Sequence, residues 1–154
     1  MTTSRPDVLV QPYLFFGGRC EEALEFYRTA LGAEVQMLMR YKESPAEQRQ
    51  MPECFDDKVM HATFVVGAST VMASDGMCAG KPNFDGFSLS ISVPDEAEAD
   101  RVFAALAEDG LVTMRMEKTF WAPKFGMLQD RFGVGWMVSV MHKAEAANCL
   151  LIPS

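Results

Sequence analysis

Two stretches of this chain repeat the same order of hydrophobic patterns, and this repetition constrains the fold more than any single motif does. Each stretch begins with a strand-like run and continues with an amphipathic segment at helical spacing that stops at a glycine. Three further strand-like runs complete each stretch. The two glycines, Gly32 and Gly110, lie 78 residues apart. Two units are too few for a solenoid, so the pattern predicts a pseudo-symmetric pair of β-α-β-β-β modules.

The first module spans residues from about 8 to 75. Apolar residues at helical spacing predict a helix from Cys20 to Leu31, which Gly32 terminates. Alternating apolar residues predict the strands, which are 8–16, 33–41, 58–66 and 69–75. The polar stretch 41–57 is long for a connection in a compact domain, so we interpret it as a lid, a binding loop or a mobile segment.

The second module spans residues from about 86 to 141. Asp95 and Glu98 form a capping signal for a helix that runs to about Glu108, and Gly110 is expected to end it. The predicted strands are 86–93, 111–117, 124–130 and 135–141. We therefore predict an α+β fold in one domain, residues 1–154, with the C-terminal tail 142–154 after the second module.

Composition and charge remove several classes of protein. The chain has 154 residues and a formal charge of −7, without a Lys/Arg cluster, which disfavours nucleic acid as a partner. It contains no apolar run long enough for a transmembrane helix and no signal-peptide pattern, so no membrane partner and a cytoplasmic location are expected.

The four cysteines occur without a C-x-x-C pair, and we predict free thiols. We predict Cys20 to be a small apolar filler. The alternative is a reactive thiol, because Cys20 stands at the start of the first predicted helix, where the helix dipole would lower the pKa of its thiol.

An ordered set of short motifs runs through nearly the whole chain. The motifs are Pro12-Tyr-Leu-Phe-Phe-Gly-Gly, Glu22-Ala-Leu-Glu-Phe-Tyr, Met60-His-Ala, Met72-Ala-Ser-Asp, Thr119-Phe-Trp-Ala, Phe125-Gly and Asp130-Arg-Phe-Gly-Val-Gly-Trp-Met. In this order they resemble the PhnB-like branch of the vicinal-oxygen-chelate superfamily, which includes glyoxalase I, extradiol dioxygenases and bleomycin-resistance proteins. The resemblance implies paired βαβββ modules, a curled mixed sheet around a cleft, and a homodimer.

Strand alternation then indicates which side chains face the cleft, because the face that packs on the helices must be apolar. The expected cleft residues are Gln11, Tyr13, Phe15, His61, Thr63, Ser88, Ser90, Met137 and Ser139. Of these, we predict Gln11, Tyr13, Thr63, Ser88 and Met137 to contact a ligand.

The superfamily's metal site takes one ligand from each of four strands. The resemblance places these positions at Gln11, near Val71 or Met72, at Ser88 and at Met137. Only Gln11 is a usual ligand, since serine and methionine bind hard or borderline divalent ions poorly. We therefore predict no metal and no cofactor. The alternative is a displaced site built from His61 with carboxylates such as Asp75 or Glu117.

His61 is the candidate catalytic residue, because histidine exchanges protons near neutral pH. The alternative is a structural histidine that is hydrogen-bonded to Tyr13 or to a backbone carbonyl. Asp75 is predicted to contact a ligand or, alternatively, to begin a turn. Phe120 and Trp121 are predicted to stack on a planar ligand, with packing against a dimer partner as the alternative.

These residues predict a protein that binds a small organic molecule in a metal-free cleft. A metal-independent isomerase or lyase with His61 as acid/base is the main alternative, and whether the chain is an enzyme stays open. A metal-dependent glyoxalase or dioxygenase, or a methyltransferase, fits less well. For the last, the sequence shows no Gly-rich loop of the kind that a nucleotide-derived cofactor favours.

Overall fold

The computed structural model describes residues 5–49, 51–77 and 80–141, which contain two helices and eight strands. The elements are β1 (Tyr13–Phe15), α1 (Cys20–Leu31), β2 (Glu34–Arg40), β3 (Val59–Val66), β4 (Ser69–Ser74), β5 (Leu89–Val93), α2 (Glu96–Ala107), β6 (Leu111–Glu117), β7 (Phe125–Gln129) and β8 (Gly135–Val140). The chain divides into two compact units, Met1–Pro82 and Asn83–Ser154, and each contains one βαβββ module. The predicted tail 142–154 lies outside the described residues.

Each unit contains a four-stranded mixed sheet with the same topology. The strand order is β1-β4-β3-β2 in the first unit and β5-β8-β7-β6 in the second. In both, the strand before the helix pairs in parallel with the last strand, and the other neighbours are antiparallel. The α+β architecture and the duplicated module predicted from the sequence are confirmed.

The first helix occupies the residues that its periodicity predicts. Gly32 adopts the left-handed conformation with φ of 68°, which a glycine reaches without steric cost, and it ends α1. The buried side of α1 includes Tyr27, which is fully buried and stacks on Phe64 of β3 with ring centroids 5.8 Å apart. Burying such an aromatic side chain contributes roughly 2 kcal/mol to the first core.

The second helix is capped as predicted but ends differently. Oδ1 of Asp95 accepts the N–H of Glu98 at 2.8 Å, which stabilises the first turn of α2. At the other end α2 stops at Ala107, three residues before Gly110, and Asp109 rather than Gly110 adopts a positive φ, of 58°. Gly110 instead donates its N–H to the carbonyl of Ala107.

Two strand starts are also corrected. The first strand begins only at Tyr13 rather than at residue 8, and residues 8–10 are exposed. The strand predicted at 86–93 begins at Leu89, so Phe87 and Ser88 precede it. Alternating hydrophobicity predicted both strands too long at their start, because a strand residue also needs a neighbouring strand to complete its hydrogen bonds.

In the second unit the apolar face of the sheet packs on α2. Gly126 of β7 shows how closely the layers approach, since a Cβ atom there would lie 2.8 Å from Cε2 of Phe103 and 2.6 Å from Sδ of Met116. Neither helix in the described part of the chain has the length and apolar character that crossing a bilayer requires.

Candidate functional site

The first sheet presents a mixed polar and apolar row on the face opposite its buried side. Leu14, Ala62 and Ala73 are buried, as the alternation predicts for the helix-facing side. On the other face, the strand register aligns Tyr13 with Met72, and Met72 with Thr63. The sheet therefore brings side chains from β1, β4 and β3 into one row across its open face.

Tyr13, His61 and Thr63 form a hydrogen-bonded cluster on this face. The hydroxyl of Tyr13 lies 3.0 Å from Nδ1 of His61, and Oγ1 of Thr63 lies 3.4 Å from Nε2. The Tyr13 and His61 rings are tilted by 42° with centroids 5.5 Å apart. The structure thus brings together three of the predicted site residues, and both ring nitrogens of His61 have a hydroxyl neighbour.

A cavity of about 390 Å³ opens beside Tyr13, and we call it the inner cavity. Its volume lies at the lower end of the range for small-molecule sites. Aromatic and thioether side chains supply much of its wall. The lining residues are Tyr13, Phe15, Gly17, Tyr41, Met60, Ser74, Asp75, Gly76, Met77, Gly80 and Pro82.

The polar groups that line the inner cavity are already hydrogen-bonded within the protein. Ser74 accepts the N–H of Gly76 at 3.1 Å through its hydroxyl oxygen, and Tyr41 donates its hydroxyl to the carbonyl of Gly76 at 3.0 Å. The Tyr13 hydroxyl contacts His61 as described above. The inner cavity therefore offers a guest mainly apolar and aromatic surface.

Asp75 lies at the end of β4, and its carboxylate is directed into the protein. Oδ1 accepts the N–H of Cys20 at 2.8 Å, and Oδ2 accepts the N–H of Val59 at 2.7 Å. The side chain is 2% exposed. This carboxylate caps the first turn of α1 and fixes the start of β3, a role that neither the predicted ligand contact nor the alternative of a turn start included.

Burial and the nearby Asp75 carboxylate both affect the thiol of Cys20. Burial, followed by the negative charges of Asp75 and Glu21, raises the pKa of the Cys20 thiol well above its usual value. The alternative that the helix dipole lowers this pKa is therefore wrong, and the burial of Cys20 agrees with the predicted apolar filler. Cys20 and Cys54 are free, while Cys78 and Cys149 lie outside the described residues.

The long polar stretch after β2 forms three short 3₁₀ turns, Tyr41–Glu43, Ala46–Gln48 and Glu53–Phe55. It covers a second cavity of about 310 Å³, which we call the outer cavity. The lining residues are Tyr41, Ser44, Gln48, Arg49, Met51, Asp56, Met60 and Met77. The stretch therefore lines a cavity, and its interpretation as a lid, a binding loop or a mobile segment stays a prediction.

Sequence reasoning missed Tyr41, Met60 and Met77, which line both cavities. The available signals were the aromatic residue at the start of the long loop and a methionine directly before His61. Gln11 is half-buried and lies two residues before the start of the short β1, so the structure gives it no strand position.

The remaining predicted site residues lie in the second unit. Ser88 is exposed and precedes β5, and Met137 of β8 is half-buried and aligned with Ser90. Phe120 is 97% exposed and Trp121 is 46% exposed, in a turn where Thr119 accepts the N–H of Ala122 through its hydroxyl oxygen. Ligand contact by these residues stays a prediction.

The donor set does not fit the metal site that the superfamily resemblance implies. Val71 is 6% exposed and aligned with Phe64 on the buried face, and Ser88 precedes its strand. Met72, the other option for the second position, and Met137 each offer a thioether. These groups are poor ligands for hard or borderline divalent ions. In the described ranges, no three His, Cys, Asp or Glu side chains are grouped so that they could hold a metal ion.

A solved structure of low sequence identity shows that the fold occurs in another protein. It is a glyoxylase/bleomycin resistance protein/dioxygenase domain from Frankia sp. EAN1pec, with a TM-score of 0.61 and 15% sequence identity, which covers 88% of this chain and 98% of that chain. The two βαβββ modules of this chain therefore have the fold of that domain.

Closer relatives identify the family. Residues 9–139 match the model of the family described as 3-demethylubiquinone-9 3-methyltransferase, so the chain belongs to this PhnB-like family. It is 34% identical over 141 residues to protein YjdN of Escherichia coli K12, covering 87% of this chain and 96% of that protein. The structure of PA1353 from Pseudomonas aeruginosa is 42% identical, with a TM-score of 0.76, and covers 86% of this chain and 97% of that one.

A third similar structure is described as a putative 3-demethylubiquinone-9 3-methyltransferase, PhnB protein, from Bacillus cereus. It is 29% identical with a TM-score of 0.72, and it covers 87% of this chain and all of that one. In the present chain Gly17 and Gly18 lie between β1 and α1, where a cofactor-binding loop would stand. However, the carboxylate of Asp75 already accepts the N–H of Cys20 at the start of α1. This position does not fit the anionic part of a nucleotide-derived methyl donor.

Proposed function

We propose that this protein binds a small, largely apolar organic molecule in the inner cavity, without a metal. The observation that carries the proposal is the wall of this open cavity, where Tyr13, Phe15, Met60 and Met77 line space for a ring-sized guest. Methionine side chains adapt to guests of different shape, and aromatic rings offer stacking faces. The internally paired polar groups disfavour a guest whose buried end is charged.

The test is a fluorescence titration with N-phenyl-1-naphthylamine, an uncharged aromatic probe. Phe15 is 56% exposed and lines the inner cavity, so Phe15→Ala removes part of the wall without opening the core. We expect the variant to bind the probe roughly fivefold more weakly, the equivalent of about 1 kcal/mol. Phe87→Ala, which removes a 45% exposed phenylalanine from the second unit, is the matched control and leaves affinity unchanged. Equal affinities for both variants and the unchanged chain contradict the proposal.

One observation favours a second function, a metal-independent isomerase or lyase. The Tyr13–His61 contact at 3.0 Å joins two groups that can exchange a proton beside the inner cavity. Native mass spectrometry of the purified protein identifies a retained organic molecule, which is then incubated with the protein and with His61→Ala. Conversion by the unchanged chain alone supports an enzyme. Retention without conversion by either supports a binding protein.

The same spectrum tests the assembly and the metal content. A homodimer is the state that the family resemblance implies, and the exposed side chains of Val10, Leu111 and Phe120 supply apolar surface for one. The expected spectrum is a dimer without a metal ion. One metal ion retained per subunit after desalting contradicts the metal-independent site. The cytoplasmic location stays a prediction.

A further inference from the structure

The inner and outer cavities share one flexible partition. Tyr41, Met60 and Met77 line both. The sulfur of Met60 accepts a hydrogen bond from the hydroxyl of Ser44 at 3.2 Å, and Met77 is 67% exposed. Thioether side chains change rotamer at low energetic cost, so a longer guest can displace this partition and occupy both cavities.

The outer cavity differs from the inner one in its charge. Arg49 lines it, and its guanidinium donates to the backbone carbonyl of Ser44 at 3.1 Å and to that of Lys42. Carbonyls are neutral, and no ion pair found among residues 5–49, 51–77 and 80–141 includes Arg49. Two hydrogen bonds also use only part of the donor capacity of an arginine.

The loop that presents Arg49 is closed by an ion pair between its two ends, and the residue before the loop is tied to α1. Arg40 forms an ion pair with Glu21 of α1 at 2.8 Å, and Lys42 forms one with Asp57 at 2.8 Å. Tyr41 donates its hydroxyl to the carbonyl of Gly76. The cation at position 49 is therefore held over a cavity whose floor includes Met60, the residue that directly precedes His61.

We propose that the two cavities form one site for an amphipathic organic anion, with a planar apolar end in the inner cavity and a single carboxylate or sulfonate at Arg49. This inference rests on the proposed function and adds to it the charge and the length of the ligand. Asp56 lines the same outer cavity. Its carboxylate limits the anionic charge that the site accepts, which favours one negative group over two.

The test compares two naphthalene probes that differ in the anionic group. 8-Anilinonaphthalene-1-sulfonate carries a sulfonate, and N-phenyl-1-naphthylamine has the same aromatic framework without it. We expect Arg49→Gln to weaken binding of the sulfonate probe about tenfold, because a charged hydrogen-bond donor is lost, and to leave the affinity for the neutral probe unchanged. Asp56→Asn is expected to strengthen binding of the sulfonate probe alone. Arg28→Gln, at an exposed arginine of α1 that pairs with Glu25, is the matched control without effect.

Phe15→Ala tests whether one ligand spans both cavities, because it must weaken both probes. Arg49 is exposed, so its variant is expected to fold, and an unchanged melting temperature verifies this. If neither probe binds the unchanged chain, the proposed function itself fails. If both bind and Arg49→Gln affects neither or both alike, only the present inference is overturned. If Arg49→Gln weakens binding of the sulfonate probe and Phe15→Ala does not, the proposal that one ligand spans both cavities is overturned.

Discussion

The hydroxyl of Tyr13 lies 3.0 Å from Nδ1 of His61, although the residues are 48 positions apart and β4 separates their strands. The contact depends on the parallel pairing of β1 with β4, which sets Tyr13 beside Met72. It also depends on the antiparallel pairing of β4 with β3, which sets Met72 beside Thr63. A shift of either register by one residue would turn one partner to the other face of the sheet.

Tyr13→Phe removes the hydroxyl and leaves the ring. We expect the free energy of unfolding to fall by about 1 kcal/mol, the usual net contribution of one hydrogen bond. The ¹⁵N resonances of the His61 ring should shift, because Nδ1 loses its partner. Thr63→Val is the matched control. Its hydroxyl lies 3.4 Å from Nε2, so a smaller change is expected, and an equal or larger one would contradict the importance of the Tyr13 contact.

Asp75→Asn replaces one carboxylate oxygen by an amide nitrogen, which cannot accept the second backbone N–H. The two donors are the N–H groups of Cys20 and Val59. We expect a loss of roughly 2 kcal/mol in the free energy of unfolding, measured by urea titration, because a buried donor stays unpaired. Asp57→Asn, whose carboxylate is exposed and paired with Lys42, should have a much smaller effect. Comparable losses would show that Asp75 does not have the capping role described here.

Gly126→Ala tests the contact between β7 and its neighbours. The added methyl group would meet Sδ of Met116 at 2.6 Å and Cε2 of Phe103 at 2.8 Å. Overpacking of this kind costs about 1–3 kcal/mol, measured by thermal or urea unfolding. Combining it with Met116→Ala should recover part of the loss, since the flexible methionine is one of the two obstructing side chains. Additive losses in the double variant would contradict this explanation.

Cys20 should resist alkylation in the folded protein. Burial raises the pKa of its thiol, so the reactive thiolate is scarce at pH 8, and the side chain is also inaccessible. We expect iodoacetamide to label exposed Cys54 in native buffer and Cys20 only after denaturation, as peptide mass spectrometry measures. Labelling of Cys20 at the rate of Cys54 in the native protein would contradict its burial.

The elements that the sequence predicts best are those governed by local signals. Gly32 ends α1, and Asp95 caps α2 through the N–H of Glu98, because each effect acts within one helical turn. Strand starts are predicted less well. Residues 8–12 alternate like a strand, but strand formation requires a partner, and only Tyr13–Phe15 pair with β4.

The sequence likewise predicts some residues of the candidate site and misses others. Alternation correctly places His61 and Thr63 opposite the buried Ala62 and Phe64, since the side-chain period of a strand is local. It does not reveal Met60 and Met77 as shared walls of two cavities, because those positions depend on how the loop after β2 folds back.

The sequence by itself determined the duplicated βαβββ pattern, the end of α1 at Gly32, the cap of α2 at Asp95 and the buried faces of β3 and β8, because these follow from the spacing of apolar residues and from capping chemistry. Only the tertiary structure decided the roles of individual polar groups. Asp75 follows a strand and reads as a turn or ligand residue, yet its two oxygens hold the starts of α1 and β3. The partners of a carboxylate are set by which backbone N–H groups the folded chain brings within 3 Å, and residues distant in sequence supply them here.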